Sequence, residues 1–200
     1  MSNSMTLRRL LVATIFWFAL VPANAQDTVK TAIKSNTEHN IKTAIVFKLL
    51  RFVSWPDEVL ENSNTINVCL RRNEAFYEAF KEIEGSAIDE RTLNVVLLSK
   101  VRMPQCHVVF VSSENNLLVS DWRIYARKGV LTVSDSENFA LQGGMINLFM
   151  REQRVSFRMN IAALTQADLQ ISSLVLKLAE IVRSAPGLPQ IGVREELRNE

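Results

Sequence analysis

The feature that most narrows the fold is a set of short apolar runs that do not alternate. Residues 108–111 are Val-Val-Phe-Val, and residues 93–98 and 130–133 are apolar but for Asn94 and Thr132. A half-exposed strand alternates apolar and polar side chains, whereas a strand covered on both faces reads as a near-continuous run. Three such runs predict the middle of a sheet with cover on both sides.

The segments around them supply that cover and the remaining strands. Residues 37–53 have helical spacing through Ile41, Ala44, Ile45, Leu49 and Phe52, with Glu38 and Lys42 as an i,i+4 pair. Phe47, Leu50 and Val53 widen the apolar side, and Pro56 ends the helix with Trp55 held extended before it. A strand over 65–70 precedes a helix capped by Asn73, with Phe76, Phe80 and Ile83 on one face and Gly85 at its end. A helix over 114–127 aligns Leu118, Trp122 and Tyr125 and exits at Gly129. Gly143-Gly144 opens a hairpin of 145–150 with 154–160, turning at 151–154. In its second arm Val155, Phe157 and Met159 face one way and Ser156, Arg158 and Asn160 the other. A last helix near 171–183 sets Ile171, Leu174, Val175, Leu178 and Val182 on the core side, and residues 184–200 read as a loose tail. The expected class is α/β. It is a single-domain α/β sandwich, with a central mixed sheet of about six strands, helices on both faces and a C-terminal β-hairpin plus helix.

Residues 1–25 read as an address rather than as part of the fold. Arg8-Arg9 precedes a run over 10–21 that is apolar but for Thr14, and Ala23-Asn24-Ala25 matches the A-x-A pattern of signal peptidase. As a helix this run spans roughly 18 Å, short of a bilayer core of about 30 Å. Cleavage after Ala25 is therefore expected, leaving an exported, soluble domain over 26–183. The 23 Lys and Arg against 21 Asp and Glu become 21 against 21 once Arg8 and Arg9 are removed. A neutral chain gives no reason to expect a nucleic-acid partner.

Export also changes how Cys69 and Cys106, the only two cysteines, are read. Each lies at the edge of a strand-like run, and an oxidising compartment lets neighbours pair. A structural disulfide is favoured over two buried unbonded thiols. It would contribute on the order of 3–4 kcal/mol by the chain-entropy model.

Catalytic patterns are missing. The chain has no G-x-S-x-G, H-E-x-x-H, Walker or G-x-G-x-x-G motif. His39 sits on a polar stretch of the first helix, His107 reads as a structural hydrogen-bonder, and Ser134-Asp135-Ser136 reads as a turn. No enzyme, cofactor or metal site is expected.

Several stretches together resemble one family. Residues 47–56, Phe-Lys-Leu-Leu-Arg-Phe-Val-Ser-Trp-Pro, are similar to the opening motif of the YfiR family of periplasmic regulatory proteins. Residues 130–135, Phe139-Ala140 and Gly143-Gly144-Met145-Ile146 resemble its central signature, and residues 155–160 and 169–173 its closing one. The resemblance implies an exported, non-catalytic α/β protein. Such a protein represses an inner-membrane diguanylate cyclase by binding its periplasmic sensor domain, which lowers cyclic di-GMP and biofilm formation. It further implies a homodimer, sequestration by an outer-membrane lipoprotein, and Cys69–Cys106 as the family disulfide. The founding member's second cysteine pair, downstream of the Gly-Gly step, is absent here, so this chain offers at most one bridge. The expected partner-binding residues are Arg51 and Trp55 at the exit of the first helix, with Ser156, Arg158 and Asn160 on the hairpin. The rival function is a periplasmic small-ligand-binding accessory of a membrane sensor kinase or transporter.

Overall fold

The computed structural model describes residues 24–70, 75–98, 105–113 and 121–183. Of the described residues, 24–38 belong to one unit and those from 39 to 183 to a second. Helix α1 (Asn24–Leu50) begins in the first and ends in the second. Everything below concerns the second unit.

After α1 come β1 (Val53–Ser54), α2 (Asp57–Leu60), β2 (Thr65–Leu70), α3 (Ala75–Glu82), β3 (Ala87–Ile88) and β4 (Arg91–Leu97). The chain continues through β5 (Val108–Val111), a 3₁₀ turn (Asp121–Tyr125), β6 (Leu131–Ser134), β7 (Ile146–Arg151) and β8 (Arg154–Asn160). It closes with α4 (Ile161–Gln166), β9 (Gln170–Ile171), α5 (Ser173–Leu176) and β10 (Glu180–Val182). Eight strands form one mixed sheet in the order β10-β8-β7-β6-β5-β2-β4-β3, and β1 pairs with β9 in a separate two-stranded sheet. The pairs β2/β4, β2/β5, β5/β6, β6/β7 and β8/β10 are parallel. The pairs β7/β8 and β3/β4 are antiparallel.

Two of the three apolar runs, those of β5 and β6, occupy the places their pattern predicts. In β5, Val108 and Phe110 join the larger core cluster, whereas Val109 and Val111 join a smaller one on the opposite face. The larger cluster holds Val46, Leu49 and Leu50 of α1 and Phe76 and Phe80 of α3. Phe110 lies between the last two, at ring-centroid distances of 4.4 and 5.5 Å. Full burial of such a side chain is worth about 1.5–3 kcal/mol. The opposite face carries Cys69, Val109 and Phe139, with Tyr125 of the 3₁₀ turn packed against them. The Cys69–Cys106 disulfide is formed on this face, joining β2 to the segment entering β5.

The mixed α/β class therefore stands, with eight strands rather than about six. The two additional strands, β3 and β10, are edge pieces of two and three residues, too short to show a pattern. The first helix stops at Leu50 rather than Val53, because Val53 pairs with Ile171 and the Phe52 carbonyl accepts the Ser172 N–H at 3.0 Å. In β4 only Leu93 is fully buried, since the neighbour beyond it is the two-residue β3 and cover runs out at this edge. The predicted final helix over 171–183 is not formed. The Ser172 side chain caps one short helical turn, after which Glu180–Val182 pairs in parallel with β8. Leu174 and Leu178 are 65% and 76% exposed, and only Val175 of the predicted core face is buried. Of the predicted 114–127 helix, residues 121–125 form the 3₁₀ turn. Leu118, the Trp122 side chain, the Asn73 cap, residues 1–23 and the 184–200 tail lie outside the described residues.

The β7–β8 hairpin closes through Glu152 and Gln153, with φ of +48° and +63°. Two successive positive φ values are the mark of a type I′ turn, which favours Asn-Gly because other side chains are strained there. Replacing the pair with Asn-Gly (Glu152→Asn with Gln153→Gly) should raise stability by about 1 kcal/mol, read as a rise of roughly 2–4 °C in Tm.

Candidate functional site

The hairpin corner gathers a polar cluster on one sheet face. Phe149 lies opposite Ser156, and Arg158 lies opposite Glu180 of β10. Arg158 donates to Glu180 Oε2 from Nε at 3.1 Å and from Nη2 at 2.8 Å, and Arg151 also pairs with Glu180. The two guanidinium carbons stand 5.0 Å (Arg158) and 5.3 Å (Arg151) from the Phe149 ring centroid. Partial burial works to raise the Glu180 pKa. The hydrogen bonds from Arg158 and Arg151 outweigh it and hold the carboxyl below its ordinary range. Arg158 and Ser156 thus share a half-buried face with an aromatic ring and a fixed charge network.

Asn160 does not share it. Its side chain is fully buried, donating from Nδ2 to the Ala140 carbonyl at 3.0 Å and accepting the Ala163 N–H at 3.3 Å as the cap of α4. Alternation puts Asn160 on the side of Arg158, but the loop through Ala140 covers the sheet at that end. Its polar groups hold the fold together there.

Arg51 and Trp55 sit where α1 exits, in a separate neighbourhood from the hairpin. Arg51 is exposed and only 3.7 Å from Asp89, a spacing that contributes little at the surface. Trp55 is half-buried in a cleft of about 370 Å3 with Leu50, Val53, Leu60 and Ile88, and its Nε1 has no partner among the described residues.

Sequence reasoning missed a buried ion pair. Lys42 of α1 meets Asp135 at 2.9 Å with side chains only 7% and 4% exposed. The other Asp135 oxygen accepts the Ser113 N–H at 2.7 Å. Ser113 follows β5 and Asp135 follows β6, so one carboxylate joins α1 to the carboxyl ends of two neighbouring parallel strands. Lys42 reads in sequence as the i,i+4 partner of Glu38. The one available signal was a lysine in line with the apolar Leu49 side of the helix.

The residues around Asp135 are scaffolding too. The Ser136 N–H donates to Ser134 Oγ at 2.9 Å, forming the expected turn, and Asn147 Nδ2 donates to the Ser136 carbonyl at 2.8 Å. Gly143 has φ +98°, and a Cβ on Gly144 would lie 2.1 Å from the Phe139 ring. His107 is buried and its Nδ1 accepts the Asn67 N–H at 3.0 Å, the structural role expected of it. His39 is buried rather than on a polar face, edge-on to Phe76 at 4.6 Å. Removing one member of the Lys42–Asp135 pair leaves a buried charge uncompensated. Asp135→Leu alone should cost about 3–5 kcal/mol in urea unfolding, and adding Lys42→Met should restore most of it.

Residues 39–180 match the family described as YfiR/HmsC-like. No curated protein matches the chain significantly. Among the described residues no helix is long and apolar enough to cross a membrane. The matched span takes in the disulfide, the ion pair, the Gly-Gly step and the hairpin. The chain belongs to the YfiR/HmsC-like family, which places it in general terms among periplasmic regulators of diguanylate cyclases.

Proposed function

We propose that this chain is exported with cleavage after Ala25 and binds the periplasmic sensor domain of an inner-membrane diguanylate cyclase, holding that enzyme inactive. Family membership over 39–180 is the observation that carries the reading. The Cys69–Cys106 bridge supports it, because such bonds persist in oxidising compartments such as the periplasm. Repression here is binding and not chemistry. The protein must favour the cyclase's inactive conformation, since equal affinity for both states shifts nothing.

The contact face in this reading is the hairpin corner of Phe149, Ser156 and Arg158. An aromatic ring and an arginine pre-positioned by Glu180 lose little conformational freedom on binding, and such residues dominate interface energetics. Arg51 and Trp55 offer a second contact at the exit of α1. A homodimer and capture by an outer-membrane lipoprotein complete the proposal.

Cellular cyclic di-GMP is the direct readout. Deleting the gene should raise it, and wild type should restore it. Arg158→Glu, which turns an attractive pair into a repulsive one, should restore it at least several-fold less well at equal protein level. An unchanged level after deletion would overturn the cyclase reading. Full rescue by Arg158→Glu would move the contact face elsewhere.

A further inference from the structure

The helical layer over the larger core turns an apolar surface to solvent. Of the seven large apolar side chains exposed among the described residues, five belong to this layer and its edge. They are Ile41, Phe52, Leu174, Leu178 and Ile181, each between 39% and 76% exposed. Helix α1 packs on the larger core through Val46, Leu49 and Leu50, and the α5 turn packs on it through Val175. Their exposed side chains are therefore on the far side from that core. The two elements meet where the Phe52 carbonyl accepts the Ser172 N–H and Val53 pairs with Ile171, which brings the exit of α1 beside the start of α5. Ile181 of β10 lies opposite Met159, a member of the larger cluster, so it takes the same side of the sheet.

Each piece carries a cation beside its apolar groups. Lys48 is seven residues from Ile41, about two helical turns along the same line of α1. Lys177 stands between Leu174 and Leu178, and Arg183 follows Ile181 by two positions. All three cations are exposed, and none forms an ion pair among the described residues. The nearby carboxylates are committed elsewhere, Glu180 to Arg151 and Arg158 and Asp168 to Lys128. Arg51, at the margin, is within 3.7 Å of Asp89 and adds little.

That combination selects what can cover the face. A second copy would bring the same cations together, and like charges across a contact oppose it. A protein partner gains most from anchors seated in pockets, yet the cleft at Trp55 is lined by none of these apolar groups or cations. The face projects side chains and does not receive them. An anionic bilayer suits both features. Its headgroups attract Lys and Arg, and its acyl boundary yields to projecting Leu, Ile and Phe without a matching cavity.

We propose that this face, centred on Phe52, Leu174 and Leu178 with Lys48, Lys177 and Arg183 around them, docks the protein reversibly on an anionic phospholipid bilayer. The inference stands apart from the cyclase reading, because it rests on this face alone and its test contains no cyclase.

Vesicle sedimentation tests it with the exported chain, beginning at Gln26, so that the apolar run of residues 10–21 does not contribute. Vesicles of phosphatidylcholine alone are compared with an equimolar mixture of phosphatidylcholine and phosphatidylglycerol. The mixed vesicles should bind at least about tenfold more tightly, and raised salt should release the protein. Leu174→Ser with Leu178→Ser should weaken binding at least about tenfold by removing apolar contact, and Lys48→Glu with Lys177→Glu by a similar factor through charge. All four positions are exposed, so both double variants should melt as wild type does. If one pair melts early, the other still decides. Ile124→Ser, at an exposed apolar residue beside Tyr125 of the opposite face, should bind as wild type does. Failure to bind the mixed vesicles would overturn the proposal. So would equal affinity for the two vesicle types, or binding that survives either double variant. Loss of cyclic di-GMP repression in those variants, without vesicle binding by wild type, would overturn it in favour of a protein partner at this face.

Discussion

Asp135 has two oxygens and a fixed task for each. One meets the Lys42 ammonium and the other the Ser113 backbone N–H, with both charged side chains more than nine-tenths buried. A buried pair of this kind contributes little net stability, because desolvating both charges costs about what their attraction returns. Its larger effect is on geometry. Any shift of α1 along the sheet would separate two charges inside a dry interior, and a slip of β5 against β6 would break the Ser113 bond. Val46, Leu49 and Leu50 thereby arrive over the larger core in one register only.

Several residues on which the family resemblance rests in sequence, Ser134, Phe139, Gly144 and Asn160 among them, help to hold this arrangement in the structure. Ser134 and Ser136 turn the chain after β6. Phe139 fills the space that the missing Gly144 side chain leaves, and Asn147 and Asn160 tie the returning strands to the loop. None of these groups is placed as a nucleophile beside a base. A motif of Ser, Asp and paired glycines resembles an active-site loop in sequence, yet here Ser134 Oγ accepts a backbone N–H and the Asp135 carboxylate is shared between the Ser113 N–H and Lys42. The exposed and half-buried polar groups lie elsewhere, on the hairpin corner and at the exit of α1.

Burial pattern made much of this architecture legible beforehand. The unbroken run of β5 reads as two-sided cover because its alternate residues do enter different clusters. The hairpin was readable because Val155, Phe157 and Met159 alternate with polar neighbours. The segment from residue 171 was misread for a physical reason. Leu174, Val175 and Leu178 have helical spacing, but the backbone of residues 180–182 has an open strand edge to pair with, and that choice depends on β8 twenty residues earlier. Lys42 and Asp135 are 93 positions apart, and no local pattern joins them. Asn160 is buried where alternation sets it beside Arg158, because strand alternation says which side a residue takes but not what lies over it.

The two edges of the sheet are unequal in a way that bears on how the protein comes apart. The disulfide links β2 to the approach to β5, so α3, β3 and β4 lie inside a covalent loop. That edge can loosen but cannot drift away. At the far edge β10 is held by three register pairs to β8 and by the Glu180 clamp. Local opening and amide exchange should therefore begin at β10. Its departure would free Arg158 and Arg151 together, so the charge pattern of the hairpin face depends on whether the last strand is docked.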